Sequence, residues 1–384
     1  MLMEINTKHL FEILERKDGG YVDTGKSSPK KNAKSKETNK SFNSRYKYID
    51  LIVDQLERSI GKREYFDTLD KIAGGLLMEK DINRESCMEK KEDSSKLIKM
   101  GYYVCNGKIE KAINVYNEFK EHINLLCDEE IPYLLLFLAK IQYHNGKHLD
   151  SFELVKHIDY KEITNDFLKL NARLLMLENS FIISNAQTIN VYYSKTIEEL
   201  NYYGYYNAAK HLKNNYLLYC TKHNSLHEIK TKLDEFENID KKEYDFILSK
   251  SLFHNKEFDK AFRIAVKYHK LDVDFCFLCL LILNELEDEK NIKLILEQLK
   301  HHRLQNDQEL LVEIIECKYY YDDNRQIKHI RKIIESCLQV DNLEILSKIK
   351  EEVCNILDYK KLHKESNLID KRISSKINRL VVPN

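Results

Sequence analysis

From Tyr46 almost to the C-terminus, apolar residues return at helical spacing. The stretch 106–119, NGKIEKAINVYNEF, shows the pattern most fully. Asn106-Gly107 breaks one helix, and Ile109, Ile113, Tyr116 and Phe119 give the next an apolar face. Ala112 is small and lets that helix lie close to the one before it. Two further stretches repeat the arrangement: Asn145-Gly146 leads to Ser151 and Phe152, and Asn255 leads to Ala261 and Phe262. In each copy the small residue follows the turn Asn by six positions. The first two copies lie 39 residues apart and the third 110 further on. That is near three periods of about 37, inside the range of helical-repeat arrays.

The pattern predicts an all-α chain, a right-handed α-solenoid of degenerate tetratricopeptide-like hairpins. Helices are expected at 94–105, 108–124, 129–144, 161–184, 187–201, 205–222, 241–254, 256–270, 273–286, 342–357 and 359–378, among others. No run keeps a convincing period of two. VYY at 191–193 and YYY at 319–321 contain β-formers, but their neighbours hold helical spacing. Ahead of the repeats, residues 3–17 read as a short amphipathic helix that Asp18-Gly19-Gly20 ends. Residues 23–44 are rich in Ser, Lys and Asn and almost without apolar side chains, the composition of a flexible basic linker. The expected organisation is an N-terminal helix over 1–22, a linker over 23–45 and a helical-repeat domain over 46–384.

Composition narrows the chemistry. The chain has 10 Gly and 3 Pro in 384 residues, few breakers for so long a sequence. The last glycine is Gly204, so nothing after it can form a Gly-rich phosphate cradle or a nucleophile elbow. The N-terminus has no apolar signal region. The longest apolar runs, 133–139 and 275–283, fall well short of the roughly 18 residues that span a bilayer. A soluble, cytoplasmic protein is expected. Nine scattered Cys residues suit reduced thiols packed in a core. Net charge is zero, yet residues 1–48 carry eleven Lys/Arg against six Asp/Glu, +5, which leaves −5 for the rest. A basic arm on a slightly acidic body hints at a polyanionic partner.

Candidate catalytic and metal motifs are weak. Cys276-Phe-Leu-Cys279 is the one C-x-x-C, and it lies inside an apolar helical run without a second ligand pair. His144 and His148 are four apart, but a turn separates them. His301-His302 sit at a helix end, where a cation complements the dipole. Nothing nominates a nucleophile or a general base, so no enzyme, no metal and no cofactor is expected.

Binding chemistry has more to offer. Many of the 24 tyrosines cluster, at 102–103, 192–193, 202–203, 205–206, 216, 219 and 319–321. They serve either as amphipathic filler between helices or as a groove that grips a peptide. Asn is a poor helix former, yet Asn171 and Asn179 fall on one expected helix and Asn207, Asn214 and Asn215 on another. An amide matches the donor and acceptor of a peptide backbone; a nucleotide composition biased to A+T would also raise Asn, Lys, Ile and Tyr. Asn171, Asn179, Asn207, His211, Asn214, Asn215 and Tyr219 are the candidate peptide contacts. Lys8, His9, Arg16 and Lys17 on the N-terminal helix, with Lys30 and Lys31 in the arm, are the candidate DNA contacts. The arm also reads as a solubilising tail.

Three short runs carry a family resemblance. They are Leu10-Phe11-Glu12-Ile13-Leu14 before Asp18-Gly19, Ile52-Val53 before Arg63-Glu64-Tyr65, and Ser194-Lys195-Thr196-Ile197-Glu198 before Asn214-Asn215-Tyr216-Leu217. In order and spacing the chain resembles the arbitrium-type peptide receptors of temperate phages (AimR-like). These are relatives of quorum-sensing regulators with tetratricopeptide-like repeats. The resemblance implies an N-terminal helix-turn-helix, a superhelical repeat body that binds a short peptide, and a C-terminal dimerisation region, hence a homodimer. It implies a peptide-controlled DNA-binding regulator of the choice between lysis and lysogeny. The chain departs from the family pattern at its start: about half a helix-turn-helix fits before Asp18, and the basic stretch is longer. The alternative function is a helical-repeat scaffold that binds a protein partner without touching DNA.

Overall fold

The computed structural model describes residues 67, 69–73, 96–120, 123, 126, 129–158, 166–235, 239–302 and 304–381. The expected N-terminal helix, the linker and the expected helix over 46–60 lie outside the described residues, as does most of the next, expected over 62–80.

Among the described residues there is no strand, and sixteen α-helices follow one another. They are α1 (Lys96–Cys105), α2 (Ile109–Phe119), α3 (Ile131–His144), α4 (His148–Lys156), α5 (Asp166–Ile183), α6 (Ala186–Tyr202), α7 (Tyr206–Cys220) and α8 (Leu226–Asp234), then α9 (Lys241–His254), α10 (Phe258–Ala265), α11 (Val273–Glu285), α12 (Glu289–Leu299), α13 (Asn306–Tyr320), α14 (Asp323–Cys337), α15 (Leu343–Tyr359) and α16 (His363–Val381). None is long and apolar enough to cross a membrane. The chain is the all-α helical-repeat protein that its periodicity predicts.

One turn is used again and again. At Gly107, Gly146, Ser184, Gly204, Lys256, Glu287 and Lys361 the backbone takes a positive φ, between 53° and 78°. The next N–H then reaches back to the carbonyl five residues earlier: Lys108 to Tyr103, Lys147 to Gln142, Asn185 to Ser180, Tyr205 to Leu200, Glu257 to Leu252, Asp288 to Leu283 and Leu362 to Leu357, over 2.8 to 3.1 Å. This is the Schellman closure, which satisfies carbonyls that the helix end leaves open. Asn106 and Asn255 add a second stopper, each donating its side-chain amide over 2.8 Å to the carbonyl four residues back, Tyr102 and Ser251. The small residue of the repeat comes five positions after the left-handed one. Ala112, Ser151 and Ala261 are fully buried there, and Ala209 and Ser366 fill the same place after Gly204 and Lys361.

The chain divides into two compact units. In the first, residues 1–141 with 153–172, α1 packs on α2, and Gly101 of α1 lies directly against the Phe137 ring of α3. The Tyr133 hydroxyl bonds Asp70 in the segment 69–73.

In the second unit, residues 142–152 with 173–384, hairpin partners pack pairwise: α6 on α7, α9 on α10, α11 on α12, α13 on α14 and α15 on α16. Helices two apart in the chain also touch, α7 on α9, α9 on α11 and α13 on α15, the ladder of a helical-repeat array. α11 is buried from Phe275 to Asn284 without a polar face, as a helix enclosed on all sides must be. Cys276 and Cys279 lie within it. Both are fully buried core side chains, and burial pushes their thiols up to about 11 and about 12.

Most helix bounds follow the apolar pattern, and α9 matches it residue for residue. α10 stops at Ala265, short of the expected 270, because Lys267 and Tyr268 turn to the carbonyls three residues back, Ile264 and Ala265.

Candidate ligand-binding face

α7 carries five of the seven candidate peptide contacts, and its hairpin with α6 explains why they stand together. Gly204 makes the tight return, while Ala208, Ala209, Leu212, Leu217 and Cys220 turn inwards. Asn207, His211, Asn214, Asn215 and Tyr219 are left on the half-exposed or exposed sides of the helix. His211 and Asn215 are one turn apart, with Nε2 and Nδ2 separated by 3.0 Å. The buried Glu178 places an oxygen 3.8 Å from the same ring nitrogen. Asn214 differs: its Oδ1 is enclosed and has no hydrogen-bond partner.

The far end of α7 joins an aromatic wall. Tyr193 of α6 stacks on Tyr216 with ring centroids 4.1 Å apart and planes 24° from parallel. Tyr216 stands 6.5 Å from Tyr219, and Phe181 of α5 lies 5.9 Å from Tyr219. His223 follows 4.7 Å beyond Tyr219. Lys232 of α8 sits 5.3 Å above the Tyr216 ring, a cation over a π face. Burial raises Tyr193 and Tyr219 and, with Cys220 beside it, lifts Tyr216 to about 12. These hydroxyls stay protonated donors at neutral pH. The face therefore offers amides and an imidazole at one end and stacked phenols with a cation at the other.

Two of the expected contacts do not belong to it. Asn171 is 1% exposed and donates its amide to Ala73 O at 2.8 Å and Phe167 O at 2.9 Å, inside the first unit. Asn179 is fully buried, donates to Ser151 Oγ and Leu175 O, both at 2.8 Å, and has His148 Nδ1 3.3 Å from its Oδ1. Both amides are spent within the fold. This corrects the expectation that they meet a ligand: they face the core, where an unpaired amide would be costly. The candidate DNA contacts Lys8, His9, Arg16, Lys17, Lys30 and Lys31 lie outside the described residues.

No protein-family model matches the chain, and no curated protein matches its sequence.

Sequence reasoning passed over Phe181, His223 and Lys232, which complete the wall. His223 follows Tyr219 by four positions, a helical spacing that the sequence carries, whereas Phe181 stands ten after Asn171 and two after Asn179 and shares a face with neither. Lys232 is one lysine among many, and only the α7–α8 packing singles it out. It likewise passed over Lys222, Lys250, His254 and Glu344, which meet across 122 positions of sequence, from 222 to 344.

Proposed function

We propose that the chain is a receptor for a short linear peptide, and that the peptide controls DNA binding by a regulator of phage lysis and lysogeny. The observation that carries this reading is the α7 face. Half-exposed His211, Asn214 and Asn215 stand beside a stacked aromatic wall on a helical-repeat scaffold. Side-chain amides pair with a peptide backbone whatever its sequence. Tyr219, Tyr216 and Tyr193 supply rigid aromatic area for one or two ligand side chains. The short runs that resemble arbitrium-type receptors support the same reading, and the basic N-terminal arm supplies lysines for phosphate. The switch is a shift between two arrangements of packed helices, of which the peptide favours one.

The test is calorimetry of the purified chain against synthetic peptides encoded just downstream of its gene. Binding heat, a raised melting temperature and their loss in Asn215→Ala and Tyr219→Ala support the receptor. Absence of heat and of any thermal shift with every such peptide defeats it.

A second reading has its own observation. At the α6–α7 turn Tyr202 and Tyr206 are 81% and 68% exposed, with Tyr203 packed edge-on against Tyr202 at 5.1 Å. Tyrosine is a preferred anchor at protein interfaces, and a scaffold that binds a protein partner would use such a tip. A gel shift on the gene's own upstream region separates the two readings. Binding that disappears on removal of residues 1–45 favours the DNA regulator, and no binding favours the scaffold.

A further inference from the structure

Glu344, in the first turn of α15, reaches two lysines that come from well before it in sequence. Lys222, just beyond α7, holds one carboxylate oxygen at 2.8 Å, and Lys250 of α9 holds the other at 2.6 Å. His254, one turn after Lys250, places Nε2 3.7 Å from the second oxygen. All four side chains are largely buried, with 19 or 20% of their surface exposed. The His254 Nε2 atom itself is enclosed and has no hydrogen-bond partner. Glu344 is not needed at the helix start, because Asn342 Oδ1 accepts from the N–H groups of Glu344 and Ile345.

Two ammonium groups drawn to one place out of water repel each other unless an anion lies between them. Each has three donors, and Glu344 takes one from each. Whenever α15 withdraws its carboxylate, the two lysines require a replacement with at least two oxygens. The remaining charges nearby do not supply it. Lys348 is another cation and is engaged by Glu285 and Glu351, while Asp274, also close to Lys250, is held by Gln308.

We propose that Lys222, Lys250 and His254 form a seat for an oxyanion, a carboxylate or a phosphate group, and that the chain's own Glu344 occupies it in this state. An external oxyanion competes with Glu344, and its binding releases the first turns of α15 from Lys222 and Lys250. The seat borders the aromatic wall at His223 but does not depend on the peptide reading.

The experiment uses the full chain at pH 7.5, with sodium acetate, sodium phosphate and sodium chloride compared at equal ionic strength by thermal melting. Glu344→Gln keeps the shape and removes the internal anion. Acetate or phosphate should then raise its melting temperature with an apparent affinity at least tenfold tighter than for the unaltered chain, and chloride should not. Adding Lys222→Met and Lys250→Met should abolish the response. Response to acetate alone assigns a carboxylate, to phosphate alone a phosphate group, and to both a general oxyanion seat. A Glu344→Gln chain that answers all three salts alike, or whose response survives loss of both lysines, overturns the proposal. Should Glu344→Gln not fold, hydrogen exchange on the unaltered chain decides. Amides at 345–352 should exchange at least threefold faster in phosphate than in chloride, and unchanged exchange overturns it.

Discussion

Asn179 Nδ2 donates to Ser151 Oγ over 2.8 Å, so a repeat-marking residue of one hairpin is tied to the buried helix that follows it. Ser151 holds the place that Ala112 and Ala261 hold in the other copies, and its hydroxyl gives Asn179 a partner that alanine would not. Asn179→Ala should therefore cost about 1–3 kcal/mol of stability, the range for stranding buried polar partners. Urea unfolding measures it. A peptide affinity that falls in the folded variant would contradict the placement of Asn179 in the core.

The seven turns invite a paired experiment. Three place Gly in the left-handed region, and four place Ser184, Lys256, Glu287 or Lys361 there. A Cβ added at Gly107, Gly146 or Gly204 meets nothing within 4 Å, so the cost of alanine is conformational alone. Gly107→Ala should destabilise by about 1–2 kcal/mol. Lys256→Gly, in the same geometry, should stabilise by up to about 1 kcal/mol, since relief of the left-handed strain outweighs the added freedom of the unfolded chain. Denaturant midpoints of the two variants should move in opposite directions.

Gly101 is a different kind of glycine. It is helical, and an added Cβ would come within 2.6 Å of the Phe137 ring and 3.1 Å of Ile72 Cγ2. Gly101→Ala should cost about 1–3 kcal/mol through overpacking, even though alanine is the better helix former. Gly101→Ala combined with Phe137→Leu should cost less than the sum of the two changes, a coupling that a double-mutant cycle reads directly.

The fold was legible because helices write their period into the chain and the turns write their Asn. The spacing from Asn106 to Ala112 marks a physical device: a stopper amide, a left-handed residue, then a small residue under the next crossing. The device also operates at Gly204 and Lys361, where Tyr203 and Lys360 stand in place of Asn. Geometry repeats there, and residue type does not. The candidate site was half legible. A polar residue on a predicted helix can face solvent or core, and the structure leaves His211 and Asn215 half-exposed. Asn171 and Asn179 went inwards because Ala73 O and Ser151 Oγ wait for them there, and only tertiary structure reveals such partners. The meeting of Lys222 and Lys250 with Glu344 is the extreme case, for no local pattern joins the turn after α7 with residues on α9 and α15.

That same cluster fixes how the chain should respond to acid. Burial, with Lys250 next to it, lowers His254 from 6.5 to about 4, against the opposing pull of Glu344 and with Lys222 and Lys348 adding to the effect. Between these values the unfolded chain binds a proton that the folded chain refuses. The stability from neutral His254 is complete above about pH 6.5, falls as the pH drops, and levels off near pH 4, a loss of up to about 3 kcal/mol. Burial alone would raise Glu344, but Lys250 and Lys222 overcome it and hold the carboxyl well below its usual range. Its contribution is present above the unfolded value of 4.5 and disappears only as the pH falls further, so both groups weaken the fold in acid, one after the other. Unfolding free energies measured from pH 7.5 to 4 should show the first loss, and His254→Gln should make the curve shallower between pH 6.5 and 4.5, where His148 and His223, also lowered by burial, keep a residual slope, while leaving the decline below it. An unaltered slope in that variant would mean that His254 is not the group refusing the proton.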